Sequence, residues 1–375
     1  MTTTEQTIHH GLEGIVAART RLSRVDGQAG ELTIAGFRLD DLAPHATFEE
    51  ALFLLWNDRL PTTRELDSLR ANLATHRQLP SSVTSLLVEL AKEERPIMDA
   101  LGAGIAALPS TGDDADAIRL VATIPSILGT YTQAMRGDDL ADPPSNLGHA
   151  AALLHQLTGD TPSAAATRAL DTYLVTVADH GFNASTFTMR VIVSTGASFV
   201  AAGAGALGAL SGPLHGGAPG PALDLVREIA TPDRAEPVLR ERLARGERLM
   251  GFGHRVYRVR DPRADVLGDA ASRLYQTDGD QDLYHLARHV EDVALRLLRE
   301  HKPDRRIATN VEYYTALLLN GLDVPSSLFT PIFAAARMAG WTAHAREQRA
   351  EGRLIRPRAA YAGAERRTWL PLEDR

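Results

Sequence analysis

The chain has 375 residues, 44% hydrophobic and 23% charged, with a net charge of −7. That is globular composition, long enough for one large domain or two unequal ones, and its acidic balance gives no electrostatic reason to bind nucleic acid or an anionic membrane. The absence of cysteine excludes disulfides, thiolate metal sites and a cysteine nucleophile.

Met1 to His10 is polar and lacks an apolar core, so no secretory signal is expected and the expected location is cytoplasmic. Leu22 to Phe37 alternates around Asp26-Gly27 and Ala29-Gly30, which fits a short β-hairpin. Thr47-Phe48-Glu49-Glu50 and Thr62 with Glu65 read as capping boxes opening helices, the second ending near Pro80. Helical periodicity continues over 81–94, 115–136, 145–157 and 164–180. Val191 to Leu214 carries no charge and is long enough to span a bilayer, but glycine, alanine and serine dilute it. A buried helix with small residues at close helix contacts is the expectation there. Asp282 to His301 places Leu286, Val290, Val293, Leu297 and Leu298 on one face. Thr330-Pro331 is expected to open the last long helix, with proline at its first position, running to about Arg349. There is no βαβ rhythm, so the fold class expected is all-α. The Gly212–Pro221 run and the Leu322–Pro325 loop set its boundaries. Residues 1–214 and 323–375 form the large helical domain, and 215–322 a small one.

Several motifs are weighed and set aside. Gly203-Ala204-Gly205-Ala206-Leu207-Gly208 is a formal G-x-G-x-x-G, but prolines and glycines follow where a dinucleotide site needs an opening helix. His215-Gly216-Gly217 is like a hydrolase oxyanion segment, yet no G-x-S-x-G accompanies it. His285 and His289 stand one helical turn apart without a third ligand, so no metal is expected. Lysine occurs only at Lys92 and Lys302 while arginine is abundant, so arginine here is weaker evidence of anion binding than usual.

Three segments carry chemistry. His215 lies in Gly212-Pro213-Leu214-His215-Gly216-Gly217-Ala218, His254 in Gly251-Phe252-Gly253-His254-Arg255-Val256-Tyr257, and Glu312 in Asn310-Val311-Glu312-Tyr313-Tyr314. Flanking glycines let backbone and ligand approach closely. Two imidazoles and a carboxylate can abstract a proton, stabilise an enolate and polarise a second carbonyl. Asp179-His180-Gly181-Phe182-Asn183-Ala184-Ser185, Asp261-Pro262-Arg263, Arg337 with Trp341 and His344, and Arg356-Pro357-Arg358 complete the pattern.

In this order the segments resemble those of the citrate synthase family over nearly the whole chain, and the run from Gly11–Ala17 to Asp41-Leu42 resembles its opening. The resemblance implies an all-α dimer whose small domain closes over substrate. It also implies condensation of acetyl-CoA with oxaloacetate and water, as in the tricarboxylic acid cycle. His215 then holds the thioester carbonyl and stabilises its enol, Glu312 removes the methyl proton, and His254 polarises the oxaloacetate carbonyl. His180, Arg263 and Arg337, with His254, bind oxaloacetate, and Arg356 reaches the partner subunit's site. Arg258 meets a CoA phosphate, and Leu249, Met250, Gly251, Phe252 and Gly253 line the adenine. Acetyl-CoA is a substrate, so no cofactor is implied. The family's hexameric type has extra N-terminal sequence, so a plain dimer is expected.

One residue departs from the family pattern. Its usual base is aspartate, and Glu312 reaches one methylene further. A shifted backbone, weak activity or another acyl-CoA would each accommodate this, and a shifted backbone is the reading favoured. 2-Methylcitrate synthase, using propionyl-CoA, shares the motifs. A non-catalytic binder of CoA or dicarboxylate is the remaining alternative.

Overall fold

A computed structural model describes residues 8–215, 219–254, 257 and 259–375. After a 3-10 turn at His10–Leu12 come three short strands, β1 (Ser23–Asp26), β2 (Glu31–Ile34) and β3 (Phe37–Arg38), in an antiparallel meander of order β1-β2-β3. The expected hairpin is present, with Val25 opposite Leu32, and β3 adds a third strand. Asp26 Oδ1 accepts from the N–H groups of Gln28 and Ala29, and Gly30 (φ +70°) closes the turn. A Cβ on Gly30 would lie 2.6 Å from Val259 Cγ2, so this turn sits directly against the segment leading to Arg263.

Ten helices follow: α1 (Leu39–Leu42), α2 (Phe48–Asn57), α3 (Thr63–His76), α4 (Ser81–Lys92), α5 (Ile97–Ala106), α6 (Asp113–Arg136), α7 (His149–Thr158), α8 (Ala164–Val177), α9 (Ala184–Ser194) and α10 (Phe199–Leu210). The middle segment holds α11 (Pro219–Ile229), α12 (Pro232–Ala244), α13 (Pro262–Thr277), α14 (Gln281–His301) and α15 (Val311–Gly321), and α16 (Phe329–Glu351) returns to the first set. The chain is all-α apart from the small sheet. Both capping boxes form: Thr47 with Glu50 and Thr62 with Glu65 exchange side-chain and backbone hydrogen bonds. α6 and α16 are buried over most of their length, and α16 packs on α2, α6, α8, α9 and α10. α13 packs on both α8 and α15. That joins the middle segment to the helix leading into His180.

Two expectations need correction. Val191 to Leu214 is not one helix: Gly196 (φ +88°) breaks it, and Ser198 caps the N-terminus of α10. Nor is α10 wholly buried, since Ala201 and Gly208 are exposed. The small residues do permit close approach, because a Cβ on Gly205 would lie 2.2 Å from Ile192 Cδ1. The G-x-G-x-x-G run falls inside α10 and opens no loop. Pro331 is the third residue of α16, because a 3-10 turn at Ser326–Leu328 leads into Phe329. Among the described residues no helix is long and apolar enough to cross a membrane.

Candidate active site

The end of α8 delivers the first group. Beyond Val177 the chain turns through Asp179 and His180, and β1 fastens this turn from outside. Ser23 Oγ donates to Asp179 Oδ2 at 2.5 Å, and Gly181 N–H donates to Ser23 Oγ at 2.8 Å. Asp179 Oδ1 faces His344 Nε2 at 3.2 Å, off the line of a good hydrogen bond. From α16, Arg337 is 2% exposed; its Nε donates to the Val177 carbonyl at 2.8 Å and its guanidinium lies over Phe333.

Asp261 builds the next part. It is the N-cap of α13, with Pro262 at the first helical position. Its carboxylate accepts from Arg263 N–H and Nε, each at 3.0 Å, from Arg263 Nη2 at 2.8 Å, and from Val311 N–H at 3.3 Å. One buried carboxylate therefore aims Arg263 and ties α13 to the start of α15. Arg263 Nη2 lies 3.2 Å from His254 Nε2. His254 Nδ1 accepts from Tyr257 N–H at 3.0 Å, so the neutral ring carries its proton on Nε2. Arg263 Nη2 and His254 Nε2 are therefore both donors, 3.2 Å apart. His180 is T-shaped to His254 at 6.0 Å, and its Nε2 is 3.1 Å from Tyr257 Oη.

His215 is held from α9. Ser185 N–H donates to His215 Nε2 at 3.3 Å, and Ser185 Oγ lies 2.8 Å from the same nitrogen. A backbone N–H can only donate, so Nε2 is an acceptor and the ring proton is left on Nδ1. Trp341 Nε1 donates to Ser185 Oγ at 3.2 Å.

Glu312 sits in the first turn of α15. Asn310 caps that helix, accepting from Glu312 N–H at 3.0 Å, while its amide donates to the Gly253 carbonyl at 2.8 Å. Gly253 N–H donates to the Ala308 carbonyl at 2.8 Å, and Phe252 bridges Thr309. The 249–253 loop is thereby locked to the segment that carries Glu312. Gly251 (φ +90°) permits this, for a Cβ there would lie 2.7 Å from Tyr313 Cδ2.

The electrostatics follow from burial around two arginines. Burial, with Arg263 next, depresses His254 to about 4, against the pull of Asp261. His180 is held well below its ordinary value by burial, Arg263 and Arg337. Burial and Arg337 lower His215. All three rings are therefore neutral near pH 7. Burial, with Asp261 adding to it, pushes Glu312 up to about 7, although Arg263 and Arg337 oppose it. Burial lowers Arg337 to about 10. A buried carboxyl poised near 7 is suited to proton abstraction rather than to ion pairing.

His254 thus meets both the Arg263 guanidinium and the His180 ring, and Arg337 acts electrostatically on His180, His215 and Glu312. Arg356 does not join them, being exposed on the tail after Gly352. Arg258 lies outside the described residues. His285 and His289 are exposed on α14. Sequence reasoning assigned no roles to Asp179, Ser185, Tyr257 or Asp261, although all four stand within or beside the quoted motifs. The Asp-Pro pair before α13 was the signal for Asp261, since Asp followed by Pro is a helix-start pattern.

Residues 11–358 match the family model described as citrate synthase, C-terminal domain. The chain is 38% identical over 383 residues to the citrate synthase of Haloferax volcanii, covering 98% of this chain and 99% of that protein. It is also 38% identical over 371 residues to a 2-methylcitrate synthase of Mycobacterium tuberculosis, covering 96% and 92%. The citrate synthase of Thermoplasma acidophilum, solved as a ternary complex with carboxymethyl coenzyme A and oxaloacetate, superposes with a TM-score of 0.87 at 29% identity, covering 98% of this chain and all of that one.

Proposed function

The chain belongs to the citrate synthase family, and we propose that it condenses acetyl-CoA with oxaloacetate and water to give citrate and CoA. One observation carries the assignment of roles: a carboxyl raised to about 7 stands with three neutral imidazoles around two buried arginines. Arg263 and Arg337 bind the oxaloacetate carboxylates, with His180 beside them. The Nε2–H of His254 donates to the ketone oxygen and polarises that carbonyl. Glu312 removes a proton from the acetyl methyl while the Nδ1–H of His215 stabilises the oxygen of the forming enolate. An acyl-CoA α-proton is very weakly acidic, so this step depends on stabilising charge as it develops. The enol carbon attacks the ketone, forming the carbon–carbon bond, and the alkoxide takes the His254 proton. Water then hydrolyses the citryl thioester to a carboxylate and CoA; the protons of that water and of Glu312 restore His254 and protonate the CoA thiolate, and one proton is released.

The loop Leu249–Gly253 lies along CoA with Arg258, and residues 215–322 close over the substrates against 1–214 and 323–375. The side chains supply the chemistry, with no metal or cofactor beyond the two substrates. The protein works as a homodimer in the cytoplasm, with Arg356 completing the partner's site. Relatives named 2-methylcitrate synthase are as similar as those named citrate synthase, so propionyl-CoA is the second reading. One extra methylene is discriminated by only about 1–3 kcal/mol. Initial rates of CoA release with each thioester, with and without oxaloacetate, test this. A higher kcat/KM for acetyl-CoA supports citrate synthesis, a higher one for propionyl-CoA supports the second reading, and release without oxaloacetate contradicts both.

A further inference from the structure

Tyr173 belongs to no motif read from the sequence, and no step above uses it. It lies on α8, fully buried at 0% exposed. Its hydroxyl has no hydrogen-bond partner. Buried polar groups are nearly always paired, and leaving one unpaired costs about 1–3 kcal/mol. An unpaired phenol in a well-packed helix therefore points to a partner that arrives with a ligand.

The surroundings say which ligand. Tyr173 stands one helical turn before Val177, on the same face of α8, and the Val177 carbonyl holds Arg337. α8 packs on α13, which carries Arg263, on α15, which carries Glu312, and on α16, which carries Arg337. The charges acting on the hydroxyl are those of Glu312, Arg337 and Arg263. Guanidinium groups have donors and no acceptor, so neither arginine can take the phenol proton. No hydrogen bond joins Tyr173 to Glu312. A carboxylate drawn between the two arginines brings the missing acceptor. We propose that Tyr173 is a substrate-binding residue whose hydroxyl donates a hydrogen bond to an oxaloacetate carboxylate held by Arg263 and Arg337.

The proposal rests on the functional reading above and makes a split prediction for Tyr173→Phe. The substitution removes only the oxygen. Ligand-free enzyme should keep or raise its Tm, because an unpaired buried hydroxyl is lost. The Kd of oxaloacetate by calorimetry, and its KM, should rise roughly 10- to 100-fold, the size of a hydrogen bond to a charged group. The KM of acetyl-CoA should not move. An oxaloacetate Kd within about twofold of wild type overturns the proposal. So does a lowered Tm or a failure to fold, either of which gives the hydroxyl a structural partner. A shifted pH–rate limb with unchanged oxaloacetate affinity would instead assign it to Glu312. If wild-type enzyme binds oxaloacetate yet never releases CoA, the catalytic reading fails, while the calorimetry still decides Tyr173.

Discussion

Arg263→Leu should damage the protein in two separable ways. The first is stability. Arg263 is 4% and Asp261 1% exposed. Without the guanidinium, Asp261 keeps only the N–H groups of residue 263, at 3.0 Å, and of Val311, at 3.3 Å. Breaking a buried pair from one side costs about 3–5 kcal/mol, because a charge is left uncompensated. The second is binding: loss of a desolvated partner to a substrate carboxylate costs about 2–5 kcal/mol, or roughly 30- to 5,000-fold in the KM of oxaloacetate. Asp261→Asn added to Arg263→Leu separates the two. Asparagine is an equally good N-cap, and the orphaned charge is gone. The double variant should therefore recover most of the stability in denaturant unfolding and none of the oxaloacetate affinity in initial-rate assays at saturating acetyl-CoA. Recovery of the oxaloacetate KM in the double variant, or a change confined to the acetyl-CoA KM, would refute the role given to Arg263.

Three further outcomes are expected. Because Glu312 is raised to about 7 and must be ionised to act, kcat/KM for acetyl-CoA should rise through pH 7 and fall about tenfold per unit well below it. His254, depressed to about 4, does not contribute to that limb, so a limb near pH 4 alone would contradict the assignment. Gly251→Ala, which needs φ +90° and would put a Cβ 2.7 Å from Tyr313 Cδ2, should cost about 1–3 kcal/mol and raise the acetyl-CoA KM, leaving the oxaloacetate Kd unchanged; a change only in the oxaloacetate Kd would show that the loop serves the other substrate. Mixed Arg356→Ala and His254→Ala protomers should regain activity through hybrid dimers, up to about half of hybrid sites; no recovery despite demonstrated subunit exchange would show that Arg356 does not cross.

Much of the fold was legible because its signals are local. Capping boxes at Thr47 and Thr62 and the apolar face of α14 are written within a few residues of one another, and each forms. The site histidines and Glu312 were legible for a different reason: the glycines and prolines beside them interrupt the helical periodicity of the rest of the chain. What the sequence hid is long-range. Ser23 fastening Asp179, 156 residues away, and Trp341 supporting Ser185, also 156 residues away, depend on elements meeting only after folding. The break at Gly196 was missed because an uncharged run of small residues has no periodicity to interrupt. Tyr173 was invisible for another reason: a tyrosine on an apolar helix face reads as core until its hydroxyl is found without a partner.

The central claim is that Glu312 is the base that enolises the acyl thioester. Glu312→Gln keeps the shape and removes the base. Burial raises the carboxyl above its usual value near 4.5, so ionisation of Glu312 opposes folding increasingly as pH rises from about 4.5 to 7, and the variant should be at least as stable as wild type at pH 8. The decisive measurement is oxaloacetate-dependent CoA release from acetyl-CoA by this variant, alongside calorimetric binding of oxaloacetate. The account predicts near-complete loss of turnover with oxaloacetate binding largely intact; wild-type turnover in Glu312→Gln would place the base elsewhere.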